Sequence, residues 1–186
     1  MSKSSLGRTL TALVMVLALA GTTNLVAQRA KIGVGGGPTI PMGDFGDSFK
    51  TGWHGQVNVL FDLPALPFDI RVDGQYGEHK VDASVSSDKA KLITGMVGAQ
   101  LPLGPPGSPA KPYLTGGVGI TNFDFDSGSP GVSGSSSDFM IGGGGGVTFS
   151  VGSVSLFVEA RLMNVFSEGS STTFLPITGG ILFGGK

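Results

Sequence analysis

The segment FDIRVDGQY, from Phe68 to Tyr76, alternates apolar and polar side chains without a break. Successive side chains of a β-strand point to opposite faces of the sheet, so this pattern predicts a strand with one apolar and one polar side. The polar side carries three charged residues and a glutamine, namely Asp69, Arg71, Asp73 and Gln75. The segment indicates an all-β fold whose sheet separates two chemically different environments.

Seven further segments of about ten residues show a similar, mostly alternating pattern, and no stretch after residue 28 has a sustained helical period. The eight predicted strands are Lys31–Ile40, Gly52–Phe61, Phe68–Glu78, Lys91–Leu101, Pro112–Phe123, Asp138–Phe149, Val154–Val165 and Phe174–Phe183.

The predicted connections alternate between short and long. The short ones are Asp62–Pro67, Pro102–Ala110 and Ser150–Ser153, and the longer, polar ones are Pro41–Thr51, His79–Ala90, Asp124–Ser137 and Ser167–Thr173. This order is typical of a barrel in an outer membrane, with short periplasmic turns and long external loops. We therefore predict an all-β fold: an eight-stranded antiparallel up-and-down transmembrane β-barrel.

One face of the predicted strands is free of charged residues, and its direction has two interpretations. In a membrane barrel this face contacts lipid, whereas in a soluble periplasmic lipocalin-like binding barrel it fills the interior. Charged residues make up only 13% of the chain, about half the usual share. Aromatic residues also gather near the predicted strand ends, as in the girdles of membrane barrels. Both observations favour the membrane barrel, which must close because an open sheet edge is too costly in hydrocarbon.

The first residues have the features of an export signal. Lys3 and Arg8 form a positive region, and the apolar run from Leu10 to Ala20 is too short for a comfortable membrane-spanning helix. Cleavage could follow Ala20 or Ala27; the second site has the less suitable Leu25 at the −3 position but leaves a start close to the first strand. We expect residues 1–27 to be a signal peptide and residues 28–186 to be the outer-membrane β-barrel domain.

Composition excludes several classes of function. The net charge of −1 does not support a nucleic-acid partner, which would require a basic surface. The absence of cysteine excludes disulfides and thiol chemistry. We expect no cofactor and no metal site. Asp124, Asp126 and Asp138 lack the spacing of a calcium-binding motif, and Gly142–Gly146 lacks the partner residues of a phosphate-binding loop.

Charged residues on two of the predicted strands are the main candidate site. Asp69, Arg71, Asp73 and Gln75 lie on the third strand, and Glu159 and Arg161 lie on the seventh. In an eight-stranded barrel these two strands face each other across the lumen. Because unpaired charge is costly in a narrow interior, we predict a network of salt bridges that fills the lumen and has a structural role. The alternative is a permeation filter in a narrow small-solute channel.

An enzymatic site is the minor alternative. It would pair His79 with Asp82 or Glu78 near the outer rim, while His54 is expected in the polar lining of the barrel. No arrangement of serine, histidine and acid can be assembled from the sequence, so we expect a protein without catalytic residues.

Three motifs resemble a known family: KPYLTGGVGI (Lys111–Ile120), FVEARLMNVF (Phe157–Phe166) and TTFLPITGGILF (Thr172–Phe183). They are similar to segments of the small eight-stranded outer-membrane barrels, which include the OmpA transmembrane domain and OmpX-like proteins. One departure is that Phe183 is followed by Gly-Gly-Lys, whereas family members commonly end on an aromatic residue.

The resemblance implies a protein of the cell outer membrane with a structural, adhesion or loop-mediated binding role. The implied partners are outer-membrane lipid, the barrel-insertion machinery and an extracellular ligand bound by the long loops. Because no further domain is expected after the last strand, the resemblance does not extend to a cell-wall tether.

Overall fold

A computed structural model describes residues 30–43, 50–80, 89–105, 107–126, 133–167 and 170–184. It contains eight strands: β1 (Ala30–Met42), β2 (Gly52–Phe61), β3 (Asp69–Lys80), β4 (Lys89–Pro102), β5 (Ala110–Asp126), β6 (Ser133–Val151), β7 (Val154–Ser167) and β8 (Ser170–Gly184). Each strand pairs antiparallel with its sequence neighbours, and β8 pairs with β1, so the sheet is a closed barrel. The predicted up-and-down barrel is confirmed. The predicted signal peptide, residues 1–27, lies outside the described residues.

Within the described part of the chain, no helix is long and apolar enough to cross a bilayer.

The connections at one end are shorter than the sequence predicted. We call the end of the barrel at which β1 begins and β8 ends the lower end, and the opposite end, which carries these connections, the upper end. The predicted loop Asp124–Ser137 is mostly strand, since β5 continues to Asp126 and β6 begins at Ser133. The predicted loop Ser167–Thr173 is reduced to residues 168–169 between β7 and β8. The predicted alternation of short and long connections is therefore wrong at these two positions.

Cross-strand pairing explains why these polar segments are strands. Ser137 donates a hydrogen bond from Oγ to Oδ1 of Asn122 at 2.6 Å, and Asn164 donates from Nδ2 to Oγ1 of Thr173 at 3.2 Å. A loop-like composition does not prevent strand formation when a neighbouring strand is already present to satisfy the backbone.

The register sets the geometry of the barrel. It can be followed once around the wall through Lys31, Leu60, Arg71, Gly98, Gly117, Gly142, Met163, Phe174 and back to β1 at Pro41. The return point is ten residues along β1 from the start (41 minus 31), so the shear number is 10. Eight strongly tilted strands with this stagger enclose an interior that side chains can fill.

The two faces of the wall follow the alternation in the sequence. The apolar set points outward: Val97, Ile120 and Val158 are 52%, 58% and 54% exposed. The polar set points into the lumen, where Gln56, Arg71 and Glu159 are buried. The alternative of a soluble binding barrel, in which the charge-free face would fill the interior, is therefore wrong, and the outer wall suits lipid.

Aromatic side chains mark both edges of the apolar wall. Trp53 and Tyr76 are in contact at the upper edge with ring centroids 5.8 Å apart, and Phe139 stacks on Phe166 at 6.2 Å. Exposed phenylalanines at the lower edge include Phe149 and Phe183. Such girdles occur where a membrane barrel passes through the lipid headgroup region.

Glycines lie on both faces of the wall, with opposite consequences. Inward-facing Gly146 lies beside Tyr113, and a Cβ atom there would be 2.6 Å from Tyr113 Oη and 2.5 Å from the Val158 carbonyl oxygen. Outward-facing Gly74 would meet nothing within 4 Å. Gly146 leaves space for the Tyr113 side chain in the lumen, whereas no neighbouring group requires a glycine at position 74.

These two glycines provide a matched test. We expect Gly146→Ala to destabilise the barrel by about 1–3 kcal/mol, because the added methyl group overlaps its neighbours. Gly74→Ala should stabilise it by roughly 0.5–1 kcal/mol, because glycine in a strand interior costs more conformational entropy. Urea unfolding in phospholipid vesicles measures both, with the emission of Trp53, the single tryptophan, as the signal. Equal stabilities for the two variants would contradict this packing.

Candidate functional site

The lumen contains a cluster of buried charged side chains at about the middle of the barrel. Arg71 and Asp73 project from β3, and Glu159 and Arg161 project from β7. These four side chains are at most 4% exposed. Every second residue of a strand faces the same side, so the spacing of two within each pair brings both members into the lumen.

Arg71 is the most highly connected residue of the cluster. Its Nε donates to Asp73 Oδ1 at 2.9 Å, and its Nη1 donates to Gln100 Oε1 at 3.0 Å. Its two terminal nitrogens also form a bidentate contact with Glu159: Nη2 donates to Oε1 at 3.0 Å and Nη1 donates to Oε2. This fork-like contact is the geometry that a guanidinium offers to a carboxylate.

Arg161 completes the cluster from the opposite wall. Its Nη2 donates to Gln56 Oε1 at 2.8 Å. Its Nη1 lies 3.3 Å from Asp73 Oδ2, and its Nε lies 3.0 Å from Glu159 Oε1. The last two contacts have ion-pair distances without hydrogen-bond geometry. Two guanidinium groups thus face two carboxylates, and the four charges balance.

Three neutral side chains join these ions, and none of them is among the site residues predicted from the sequence. Tyr113 donates from its hydroxyl group to Glu159 Oε2 at 2.9 Å, and Gln56 and Gln100 accept from the two arginines. We call the seven residues the lumen network: Gln56, Arg71, Asp73, Gln100, Tyr113, Glu159 and Arg161. The alternation within the predicted strands is the signal that identifies them: it assigns the two glutamines to the polar face, and in KPYLTGG it assigns Tyr113 to the same face.

Two of the predicted site residues lie outside the lumen network. Asp69 is near the lower end, where its Oδ2 lies 3.9 Å from Lys31 Nζ. Gln75 faces the lumen higher on β3 and is buried, but its Oε1 has no hydrogen-bond partner among the described residues. The structure therefore brings together Arg71, Asp73, Glu159 and Arg161, but not Asp69 or Gln75.

His54 belongs to a second, smaller polar group above the lumen network. Its Nδ1 is 2.8 Å from Thr39 Oγ1, and its Nε2 is 2.8 Å from Thr178 Oγ1. These hydrogen bonds join β2 to β1 and β8, and all three side chains are buried. Because both ring nitrogens are occupied by threonines, His54 serves as a crosslink in the lumen wall.

The enzymatic alternative requires His79 to pair with Glu78 or Asp82 at the rim, and the structure does not bring His79 and Glu78 together. His79 is buried, and its Nδ1 lies 3.4 Å from the Lys50 carbonyl oxygen. Glu78 accepts a hydrogen bond from the hydroxyl group of Tyr76 on the exposed outer wall. Adjacent residues of β3 point to opposite faces, so His79 and Glu78 diverge. Asp82 lies outside the described residues.

No cluster of three or more histidine, aspartate or glutamate residues in the described ranges is arranged to hold a metal ion.

An apolar cluster fills the upper lumen beside the His54 group. Its members are Leu92, Met96, Phe123, Met140, Met163, Val165 and Phe174. Met140, Val165 and Phe174 have no measurable exposure. The lumen network therefore lies beneath a layer of buried apolar side chains.

A family model described as "outer membrane protein beta-barrel domain" matches residues 9–178. A search of curated proteins finds no match.

Solved structures show the same fold at low sequence identity. Neisserial surface protein A has a TM-score of 0.63 and 16% identity, over 83% of this chain and 96% of that one. Ail, the attachment invasion locus protein of Yersinia pestis, has a TM-score of 0.53 and 14% identity, over 83% and 97%. The outer membrane enzyme PagL has a TM-score of 0.54 and 15% identity, over 83% and 99%. At these identities the likeness concerns the fold alone.

The lumen network predicts a large difference between two carboxylates. We expect Glu159→Ala to destabilise the barrel by about 3–5 kcal/mol, because it leaves buried guanidinium charge without compensation. Asp69→Ala, which removes a partly exposed pair, should cost about 1 kcal/mol or less.

Urea unfolding in phospholipid vesicles tests this difference, and heat-modifiable gel mobility verifies that each variant folds. Equal losses for Glu159→Ala and Asp69→Ala would contradict a stabilising role of the lumen network.

Proposed function

This chain belongs to the outer membrane protein β-barrel domain family, and on that basis we propose that it is a non-conducting barrel that binds a ligand at its upper rim. It resides in the outer membrane. The single observation that carries the proposal is the filled lumen, because a barrel without a pore can act only through its wall and its ends.

The filling has two layers. The lumen network connects five strands (β2, β3, β4, β5 and β7) by ionic and hydrogen-bonded contacts. The apolar cluster above it contains side chains with no measurable exposure. Opening a path for solutes would require breaking buried ion pairs and unpacking hydrocarbon together, which is energetically costly. This supports a structural role for the lumen over the alternative of a small-solute channel.

The upper end is the better candidate for the binding surface. β5 and β6 contain 17 and 19 residues, whereas about 9–11 tilted residues cross a bilayer. Their upper parts therefore extend beyond the apolar wall. We infer that this end faces the exterior, since the opposite end carries the first and last described strand residues and the tight turn at Gly152.

A structural neighbour supports ligand binding by a barrel of this size. Ail of Yersinia pestis has been crystallised in complex with the heparin analogue sucrose octasulfate. By analogy we propose an extracellular ligand for this chain as well. Outer-membrane lipid is the proposed partner of the apolar wall, and the insertion machinery is the proposed partner during assembly, after removal of residues 1–27 as a signal peptide.

We also propose that the protein is not an enzyme. The barrel of PagL, an outer membrane enzyme, has the same fold, so the fold by itself is compatible with catalysis. Here the two described histidines are buried, with His54 bound to threonines and His79 pointing away from Glu78. This arrangement supports a binding role over a catalytic one.

Planar lipid bilayers test the filled lumen directly. The purified barrel should produce no steady conductance steps above the bilayer background, because ions would have to pass both the lumen network and the apolar cluster. Steady steps whose size changes in the Arg161→Ala variant would overturn the proposal and favour the channel. Gly74→Ala on the outer wall is the matched control, because it leaves the lumen unchanged.

A further inference from the structure

Three methionines lie together in the lumen, beside the lumen network. Met96, Met140 and Met163 belong to the apolar cluster and are at most 4% exposed. They come from three different strands, β4, β6 and β7. The fourth methionine after residue 28 is Met42, which is exposed on β1. Three of these four flexible, sulfur-containing side chains therefore share one part of the lumen.

Glycines on the lumen face leave these methionines without an intervening side chain. In the strand register, Gly119 lies between Met96 and Met140, and Gly142 lies opposite Met163. A Cβ atom at Gly142 would overlap Met163 Sδ and would be 3.4 Å from Met96 Sδ. Both sulfur atoms therefore lie within 3.4 Å of one point on the lumen face. Met140 projects into the same space from the other side of Gly119.

Thioether sulfur is a soft metal ligand. The prediction of no metal site was based on the absence of cysteine and on the spacing of three aspartates, and it did not consider methionine. Soft sulfur ligands select Cu(I), and Ag(I) has the same preference. Metal–sulfur bonds are about 2.3 Å long, and the rotatable bonds of methionine allow its sulfur to adjust to such a distance. We propose that Met96, Met140 and Met163 form a three-sulfur site for a soft monovalent metal ion.

The surroundings of the site favour a single positive charge. The other members of the apolar cluster are leucine, phenylalanine and valine, whose side chains supply no oxygen or nitrogen ligand. Burial of charge without such ligands is costly, and the cost is greater for a divalent ion. Asp73 lies opposite Met96, and Arg161 is two residues before Met163, so the site also borders charges of both signs. Cu(I) or Ag(I) fits this environment better than Zn(II) or Mg(II).

Packing alone is the other explanation for these residues. Methionine fills irregular gaps in a core, and Met163 lies opposite Phe174, where its sulfur can contact the ring. Leucine has a similar volume and fills such a space without sulfur. Packing therefore does not require two sulfur atoms to approach the same point, whereas metal binding does.

The metal site goes beyond the rim-binding function and does not rest on it. A buried ion needs no open pore, so the site is compatible with a non-conducting barrel. Because the sulfur ligands are buried, the ion can enter or leave only during assembly or through local opening of the upper lumen. We therefore expect slow release once the barrel has folded around the ion.

The test refolds the purified barrel with silver nitrate in a chloride-free buffer, or with Cu(I) kept reduced by ascorbate under nitrogen. After transfer to phospholipid nanodiscs and gel filtration, we expect a single ion per barrel by mass spectrometry of the metal. In protein labelled with ¹³C at the methionine methyl groups, the signals of Met96, Met140 and Met163 should shift. The signal of Met42 should stay in place, and Zn(II) in the same protocol should not be retained.

Leucine variants separate metal binding from packing. Met96→Leu, Met140→Leu and Met163→Leu preserve the volume, so each should keep the heat-modifiable mobility of a folded barrel. Loss of even an outer partner of a metal ligand costs about 10–100-fold in affinity, so each variant should bind Cu(I) at least about tenfold more weakly. Competition with the Cu(I) chelator bicinchoninate measures this loss. Met42→Leu is the matched control and should bind like the parent protein.

Three outcomes would overturn the proposal: a folded parent barrel that retains neither ion, leucine variants that bind as tightly as the parent, or an ion that shifts only the Met42 signal. The first would assign the three methionines to packing alone. Where a leucine variant does not fold, the methionine signals of the parent protein still decide. A conducting barrel would overturn the proposed function and leave the metal result unaffected. A non-conducting barrel that binds no metal would remove only this inference.

Discussion

Closure of the backbone ladder is the constraint on which the rest of this structure depends. In hydrocarbon, an unpaired N–H or C=O group costs several kcal/mol, so a sheet that crosses a membrane must pair its last strand with its first. Here β8 pairs with β1, and the stagger around the wall is ten residues from Lys31 to Pro41. Eight strands with this stagger enclose a space only wide enough for side chains. The narrow lumen follows from closure and does not need a separate explanation.

A narrow lumen imposes its own electrostatic condition. Charged groups there have little access to water, so each must find a partner in the wall or across the lumen. The two arginines of the lumen network form ion pairs with its two carboxylates, so the charges balance. Tyr113 and the two glutamines add hydrogen bonds to these charged groups. The hydrogen bond from Tyr113 on β5 to Glu159 on β7 is possible because the residue between them on β6 is Gly146, which has no side chain in the way. We propose that the same filling that stabilises the barrel also blocks the passage of solutes.

A filled barrel leaves its surfaces as the places where function can reside. The wall between the two aromatic girdles suits lipid. Above it, strands of unequal height give the upper rim an asymmetric form, because β5 and β6 continue where β7 and β8 have already turned. The solved structures of this fold include both the attachment invasion locus protein and an outer membrane enzyme, so the fold by itself does not specify an activity.

The sequence by itself determined the number of strands, their approximate positions and the side of the wall on which each residue lies. These are local properties: the alternation in Phe68–Tyr76 assigns Arg71 and Asp73 to one face whatever their partners are. Only the tertiary structure decided the register, the shear and the ends of the strands. Ser133–Ser137 has the composition of a loop and becomes a strand because β5 is already beside it. Asp69 and Asp73 look equivalent in the sequence, yet only Asp73 reaches the arginines, because height in the lumen depends on pairing accumulated around the whole barrel. Such long-range pairing has no signature in any single segment. Strand parity assigns Tyr113 and the two glutamines to the lumen face, but only the register shows that they contact the charged residues.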